Sequence, residues 1–382
     1  MDEVYDRDIV AAVRAFVERE VIAQASELEH RDEYPHAMVA AMKALGLFGA
    51  TIPAEHGGLG LSFATYARVM EELSRGWMSL AGVINSHLIM AFIITHHGTA
   101  PQKAYFLPAM ARGDKRGGLA LTEPHAGSDV QSIRTTAVRR GDDYILKGSK
   151  MFITNARNGT MLAVAAKTDP RAKPAYAGIS MFAVEKSAAG PAVSANLKKI
   201  GYKGIDTCEV TLDDLAVPAA NLIGGGEGLG FKQVMSALEV GRINVAARAV
   251  GVGQAAFETA IRYAQQRTAF GKPICEHQAV QLMLADMGTR VEAARLMVAN
   301  AARRKDAGER CDVEAGMAKL FASEACAKIS LDAMRVLGGY GFMQEFPVER
   351  FYRDAPLMMI GEGTNEIQAL VIARGLLARY RA

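Results

Sequence analysis

The chain has no Cys-x-x-Cys pair and no histidines at zinc-finger spacing; its four cysteines, Cys208, Cys275, Cys311 and Cys326, are scattered through 382 residues. That excludes a disulfide framework, argues against a metal site, and fits reduced thiols in a cytoplasm. Blocks of like charge are also missing. The net charge is +3, and Arg139-Arg140 and Arg303-Arg304-Lys305 are short runs flanked by acids. They read as solvated surface, so no nucleic-acid partner is expected. The opening stretch, MDEVYDRDIVAAVRAF, has acids where a secretory leader needs basic residues and an apolar run, and reads as mature protein starting on an amphipathic helix. From Gly76 to Gln102 there is no Asp, Glu, Lys or Arg. A membrane span needs about 20 largely apolar residues. Here Asn85, Ser86 and His87 interrupt the segment and leave only Leu88 to Ile94 continuously apolar. The expectation is a buried helix with a polar notch that can line a pocket, and no membrane partner.

Half of the residues are hydrophobic and 22% are charged, as in an ordinary globular protein long enough for two or three domains. Apolar residues recur at helical spacing in IVAAVRAFVEREVIAQASELE and ATYARVMEELSR, with the loop TIPAEHGGLGLS between them. Near Gly117 the texture changes to short β-rich runs, among them DYILKGSKMFITN, MLAVAAKT, GISMFAVEK and CEVTLDDLAV. Turn residues separate these runs, which predicts an antiparallel sheet or small barrel. Strands and helices do not alternate, so a doubly wound parallel sheet is not expected. From Gly230 the helical period returns and holds, giving four long helices suited to an antiparallel bundle. The fold class is thus α+β, mostly α: an N-terminal helical domain (1–116), a central antiparallel β-barrel-like domain (117–223) and a C-terminal four-helix bundle (224–382).

Two glycine clusters fail as dinucleotide fingerprints. GVGQAA, Gly251 to Ala256, lies inside a helical run with no strand before it, whereas the fingerprint needs a strand, a tight turn and a helix N-terminus. GGGEGLG, Gly224 to Gly230, has the wrong spacing and reads as the hinge into the bundle. LALTEPHAGSDV is more informative. An apolar strand reaches Thr122, and Gly127 with Ser128 can form an anion-binding nest, although an Asx-type turn fits the same residues. In GSKMFITN, Phe152 and Thr154 stand two apart on one strand face. An aromatic face beside a hydroxyl suits a flat heteroaromatic ring; core packing is the plainer account of Phe152. Near the C-terminus, MMIGEGTNEIQ puts Glu362 between Gly361 and Gly363, just before a helix.

Taken in order, LTEPHAGSD, GSKMFITN, VTLDDLAVPAANLIG, QQRTAFGKPICEHQAVQ, VLGGYGFMQEFPVERFYRDA and IGEGTNEIQ resemble the acyl-CoA dehydrogenase family over nearly the whole chain. The resemblance implies the same three-part fold, with FAD between the β domain and the bundle. Leu119, Leu121, Thr122, Gly127 and Ser128 would hold the flavin and pyrophosphate. Phe152, where many relatives have Trp, would pack with Ile153 against the isoalloxazine, and Thr154 would bond near N5. Arg267, Phe270, Gln278 and Arg335 to Gly339, including Gly338, would reach the FAD of a partner subunit. Many relatives have Gln at position 335; arginine pairs a phosphate at least as well. Thr364 and Glu366 would complete the cofactor contacts, and Ser128, Glu239, Arg242 and Gly363 would face the CoA substrate.

By the same resemblance Glu362 is the catalytic base, taking the α-proton of an acyl-CoA thioester while the β-hydride passes to flavin N5, to give a trans-2-enoyl-CoA. Some relatives carry the base where this chain has Gly241. The implied partners are an electron-transferring flavoprotein and further copies of the chain, as a dimer of dimers. A flavin oxidase using O₂, of acyl-CoA or nitroalkane type, and a non-catalytic FAD- or CoA-binding member are the alternative readings. Asn85 and His87 suggest a short or polar acyl group, and Gly361, where several relatives carry Tyr, suggests room for a branched one.

Overall fold

The computed structural model describes residues 3–186 and 190–381. The first part is helical: α1 (Glu3–Phe16), α2 (Ile22–His30), α3 (His36–Ala44), α4 (Phe63–His97) and α5 (Ala100–Ala111). Helix α4 starts on Ser62, whose side chain accepts from the Thr65 N–H, and breaks at Trp77, where the backbone is extended (φ −158°, ψ 114°). It is long and apolar enough to cross a membrane, yet 89% of its most apolar window is buried inside the protein. Its uncharged surface is matched by neighbouring protein on almost every side, as the polar notch in its sequence suggested.

The central part is a curled sheet of β1 (Leu119–Ala120), β2 (Thr136–Arg140), β3 (Asp143–Thr154), β4 (Met161–Lys167), β5 (Ile179–Glu185), β6 (Ala192–Val193) and β7 (Thr207–Pro218). The order is β1-β4-β2-β3-β7-β6, with β5 on the other side of β4. Most pairings are antiparallel, as expected, but β1 and β2 run parallel to β4. Strands β4 and β5 are buried on both faces. Met161, Ala163 and Ala165 enter the core shared with the helices, while Leu162, Val164 and Ala166 enter a second core inside the curl. Alternation by two with both sides covered explains why these strands read as continuous apolar runs.

The last part comprises α6 (Gly230–Gln266), the short hairpin β8 (Thr268–Ala269) and β9 (Lys272–Pro273), α7 (Gln278–Asp306), α8 (Asp312–Leu337), α9 (Val348–Ile360) and α10 (Asn365–Arg379). The last helix, expected just after Glu362, is α10; α9 precedes it as a further helix that the sequence reading does not include, and 361–364 separate the two. Pro356 is accommodated within α9, and the break falls on Gly361-Glu362-Gly363, where left-handed backbone ends the helical path.

Candidate active site

Glu362 sits in the break between α9 and α10. The Gly361 N–H still donates to Leu357 O at 2.8 Å, closing the last turn of α9. Glu362 (φ 57°) and Gly363 (φ 85°) are both left-handed, and Thr364 caps α10. A glutamate in that conformation costs of order 1–3 kcal/mol and persists only where its surroundings impose it. They do so here. Lys319 of α8 donates to Met359 O, Gly363 O and Asn365 Oδ1 at 3.0, 2.9 and 2.9 Å. Gln368 Nε2 donates to Glu362 O at 3.3 Å and Gly363 O at 3.0 Å. Lys319 and Gln368 are completely buried.

The carboxylate points inward between α4 and α6. Asn85 Nδ2 donates to Glu362 Oε1 at 3.4 Å, and Oε2 is buried with no partner among the described residues. Burial pushes the Glu362 pKa up, opposed by Asn85 and by the fields of Arg248, Arg242 and Lys319. Burial likewise pushes Lys319 down, to about 8. A buried carboxylate with a raised pKa and a bare oxygen is equipped to take a proton. It fits because residue 241 has no side chain: a Cβ there would lie 2.5 Å from Glu362 Oε2. Beside it is a small cavity of about 10 Å³ walled by Leu88, Ile89 and Phe92 of α4 and Val240 of α6, with Thr51, Tyr66, Asn85 and Asn244 as its polar groups.

The end of the sheet meets this place. Asn155, just after β3, donates from Nδ2 to Val83 O of α4 at 2.9 Å and to Gly117 O at 3.2 Å, two residues from Asn85. The Met151 N–H donates to Thr122 O at 2.8 Å, which fixes Leu119–Thr122 alongside Phe152. Beneath them Lys150, fully buried, donates to Leu121 O at 3.1 Å and to Glu123 Oε1 at 2.7 Å. Glu123 also accepts the N–H groups of Arg134 and Thr135. A register shift between Lys150 and Ile153 turns Phe152 outward at φ 61°. Its side chain is 65% exposed, so core packing does not explain it, whereas Ile153 is buried behind it. Gly127 and Ser128 are exposed on the following turn. An outward aromatic face, a half-buried Thr154 hydroxyl and an open Gly-Ser turn fit a flavin with its phosphates.

Another group lies apart. Arg267, Gly338 and Gly339 line a cavity of about 580 Å³ with Tyr263, Ile274 and Tyr340. Gly338 is 19 residues beyond Lys319, roughly 28 Å along α8 at 1.5 Å per residue. Phe270 and Gly271 (φ 52° and 80°) form the two-residue turn of the β8–β9 hairpin, with Phe270 97% exposed. Gln278 and Arg335 are exposed too, Arg335 pairing with Asp332 at 2.9 Å. Of these residues, Arg267, Gly338 and Gly339 share one cavity, and it is not the one beside Glu362.

Of the residues expected to face substrate, Gly363 is in the Glu362 turn and Arg242 is half-buried one position from Gly241. Glu239 pairs with Lys305 at 2.8 Å and accepts from Cys311 Sγ at 3.3 Å. Thr364 and Glu366 begin α10. His87 is occupied elsewhere: the Gly117 N–H donates to its Nδ1 at 3.0 Å, so Nε2 carries the hydrogen and donates to Phe48 O at 2.9 Å. Burial pushes His87 down to about 4, which keeps it neutral. Sequence reasoning missed Lys319, Arg248, Tyr66 and Asn244. Polar residues inside apolar helical runs were the available signal.

A helical–sheet–helical chain with a buried carboxylate facing an aromatic, phosphate-ready sheet end has the build of a flavin-dependent oxidoreductase. Comparison with known proteins is specific. Residues 5–114, 118–215 and 228–377 match the acyl-CoA dehydrogenase N-terminal, middle and C-terminal domains. An acyl-CoA dehydrogenase of Bacillus subtilis (strain 168) is 43% identical over 366 residues, 96% of each chain. Butyryl-CoA dehydrogenase from Megasphaera elsdenii superposes with a TM-score of 0.95 at 35% identity, covering 99% of both chains. A chain from structural work on the electron transferring flavoprotein of Acidaminococcus fermentans does so at 0.95 and 37%, covering 99% of this chain and 98% of that one. The chain belongs to the acyl-CoA dehydrogenase family and is an oxidoreductase of that flavoprotein class.

Proposed function

We propose that the protein dehydrogenates an acyl-CoA thioester at its α,β-carbons to a trans-2-enoyl-CoA, with Glu362 as the base and FAD as cofactor. The carrying observation is the Glu362 carboxylate, with Oε2 buried and unpaired beside an apolar cavity. FAD bound against Phe152 and Thr154 would accept the β-hydride at N5 and so supply the redox chemistry. The chain's own residues do the rest. Burial keeps Glu362 basic enough to remove a weakly acidic α-proton, and Asn85 steadies one carboxylate oxygen while the other faces the substrate. The left-handed turn leaves the Glu362 N–H available to a thioester carbonyl. Leu119–Thr122, Gly127 and Ser128 would hold the flavin and pyrophosphate. The cavity beside Glu362 has room for little more than a water, which favours a short acyl group.

The separation of Arg267, Phe270, Gln278, Arg335, Gly338 and Gly339 from the Glu362 turn supports their serving the FAD of a second copy, within a dimer of dimers. The electron acceptor is an electron-transferring flavoprotein, a partner suggested by the Acidaminococcus structure. E362Q holoenzyme should keep its FAD and bind acyl-CoA but bleach the flavin roughly 10²- to 10⁴-fold more slowly. Bleaching at the wild-type rate would overturn the assignment. Rapid peroxide release in air, with no response to flavoprotein, would favour an oxidase.

A further inference from the structure

Arg248 lies on α6 one turn beyond Asn244 and is only 4% exposed. Its guanidinium carbon is 5.0 Å from the centroid of the Tyr202 ring. At i+4 from Asn244 and i+8 from Val240 it follows on the same face of α6 as these two cavity residues, and its charge acts on both the Glu362 carboxylate and the Tyr66 hydroxyl. Its Nε and Nη2 are buried with no hydrogen-bond partner among the described residues. More than nine-tenths of buried polar groups in native proteins are paired, so two orphan donors on one side chain call for an explanation.

The contact with Tyr202 does not supply one. A ring face attracts the cation as a whole, while the N–H bonds of a guanidinium lie in its plane and need acceptors there. Nε and Nη2 form the side-on edge of the guanidinium, the edge that takes both oxygens of a carboxylate. On two other arginines the same edge is filled, whereas the Nε atoms of Arg242 and Arg350 are also buried without a partner among the described residues. Arg310 Nε and Nη2 donate to Asp312 Oδ1 and Oδ2 at 2.8 and 3.0 Å, and Arg295 Nε and Nη2 both donate to Glu71 at 3.0 and 2.9 Å. On Arg248 the edge is vacant, and Glu362 is not within ion-pair distance to fill it.

The surroundings suit an incoming anion. Arg248, Arg242 and Lys319 all act on the single Glu362 carboxylate. The Tyr66 hydroxyl accepts from Asn244 Nδ2 at 2.6 Å, which leaves its own hydrogen to donate into the cavity. We infer that Arg248 is a specificity-determining residue that grips a carboxylate at the far end of a short acyl chain. The substrate class is then the CoA thioester of a short dicarboxylic acid. The proposal rests on the dehydrogenase reading above and narrows it.

Succinyl- and glutaryl-CoA compared with butyryl- and valeryl-CoA test it. Bleaching is followed in wild-type holoenzyme, and dissociation constants are measured on E362Q holoenzyme, where turnover does not interfere. The carboxylated esters should bind roughly ten- to a hundredfold more tightly, the factor for hydrogen bonds to a charged group. R248Q should remove that preference while neutral esters still bind. R248K, with a charge but no fork, should keep part of it and serves if R248Q does not fold. Wild-type preference for neutral esters, or equal losses for both classes in R248Q, would overturn the inference alone. Failure of every ester to bleach the flavin would overturn the dehydrogenase reading, and this one with it.

Discussion

Glu362 combines three conditions that are individually unfavourable: left-handed backbone, a buried carboxylate and an unpaired oxygen. They make sense together in a group that must meet a proton carried by something else. Burial raises its pKa from the ordinary 4.5, so kcat/KM should rise with pH through a midpoint above that value, and E362Q should abolish the titration. Stability carries the opposite sign. A carboxyl whose folded pKa exceeds its unfolded one contributes stability present below the unfolded pKa and lost as pH rises through the folded one. The melting temperature of E362Q minus that of the wild type should therefore be larger at about pH 8 than at about pH 5. An unchanged difference would mean that the carboxylate is not desolvated. The side chain's identity could be read from GEG and the motifs around it. Asn85 and Gly241 were marked too, by the polar notch and by the resemblance, but Lys319 was not, because a lysine within the helical run of α8 gives no sign of the turn it holds.

The α9–α10 turn is held as a unit by α8. The buried Lys319 ammonium accounts for two partly buried backbone carbonyls and one buried side-chain oxygen of the turn. Removing a partner from buried acceptors costs about 1–3 kcal/mol each. K319M should thus lower the unfolding free energy by about 2 kcal/mol or more, read as a lower urea midpoint, and should slow flavin bleaching while FAD content holds. An unchanged midpoint and rate would show that the turn keeps its shape without α8. At this level the sequence was partly legible. The Gly-Glu-Gly stretch marked the turn, but α9 was not legible as a helix, because VERFYRDAPLMMI is short, mixes charged with apolar residues and carries Pro356. Phe152 is similar: alternation placed it on the Thr154 face, and only the register shift after Lys150 shows that this face looks outward.

Over the whole molecule, texture alone gave the succession of helices, sheet and helices, because period and turn residues change at the borders. The parallel pairings of β1 and β2 with β4 could not be read, since they join segments distant in sequence. Distant segments are also tied by charge. Arg353 of α9 bonds Glu29 of α2 at 2.5 and 2.8 Å and its neighbour Glu349 at 2.6 Å. The guanidinium thus neutralises two of the three groups, Glu29, His30 and Glu349, whose ligand atoms lie close together. Phe270 (97%) and Phe342 (78%) stand exposed at the hairpin tip and after α8, a surface suited to a further copy of the chain. Sedimentation equilibrium should give a multiple of the chain mass, and a monomer at micromolar concentration would contradict the shared FAD site.

The close fit at Gly241 also constrains ancestry. With only 2.5 Å between a Cβ at that position and Glu362 Oε2, a side chain there would meet the flexible end of the glutamate and turn its carboxylate aside. A lineage that moved the proton acceptor from one position to the other would therefore have displaced the old acid from its place as soon as residue 241 gained a side chain.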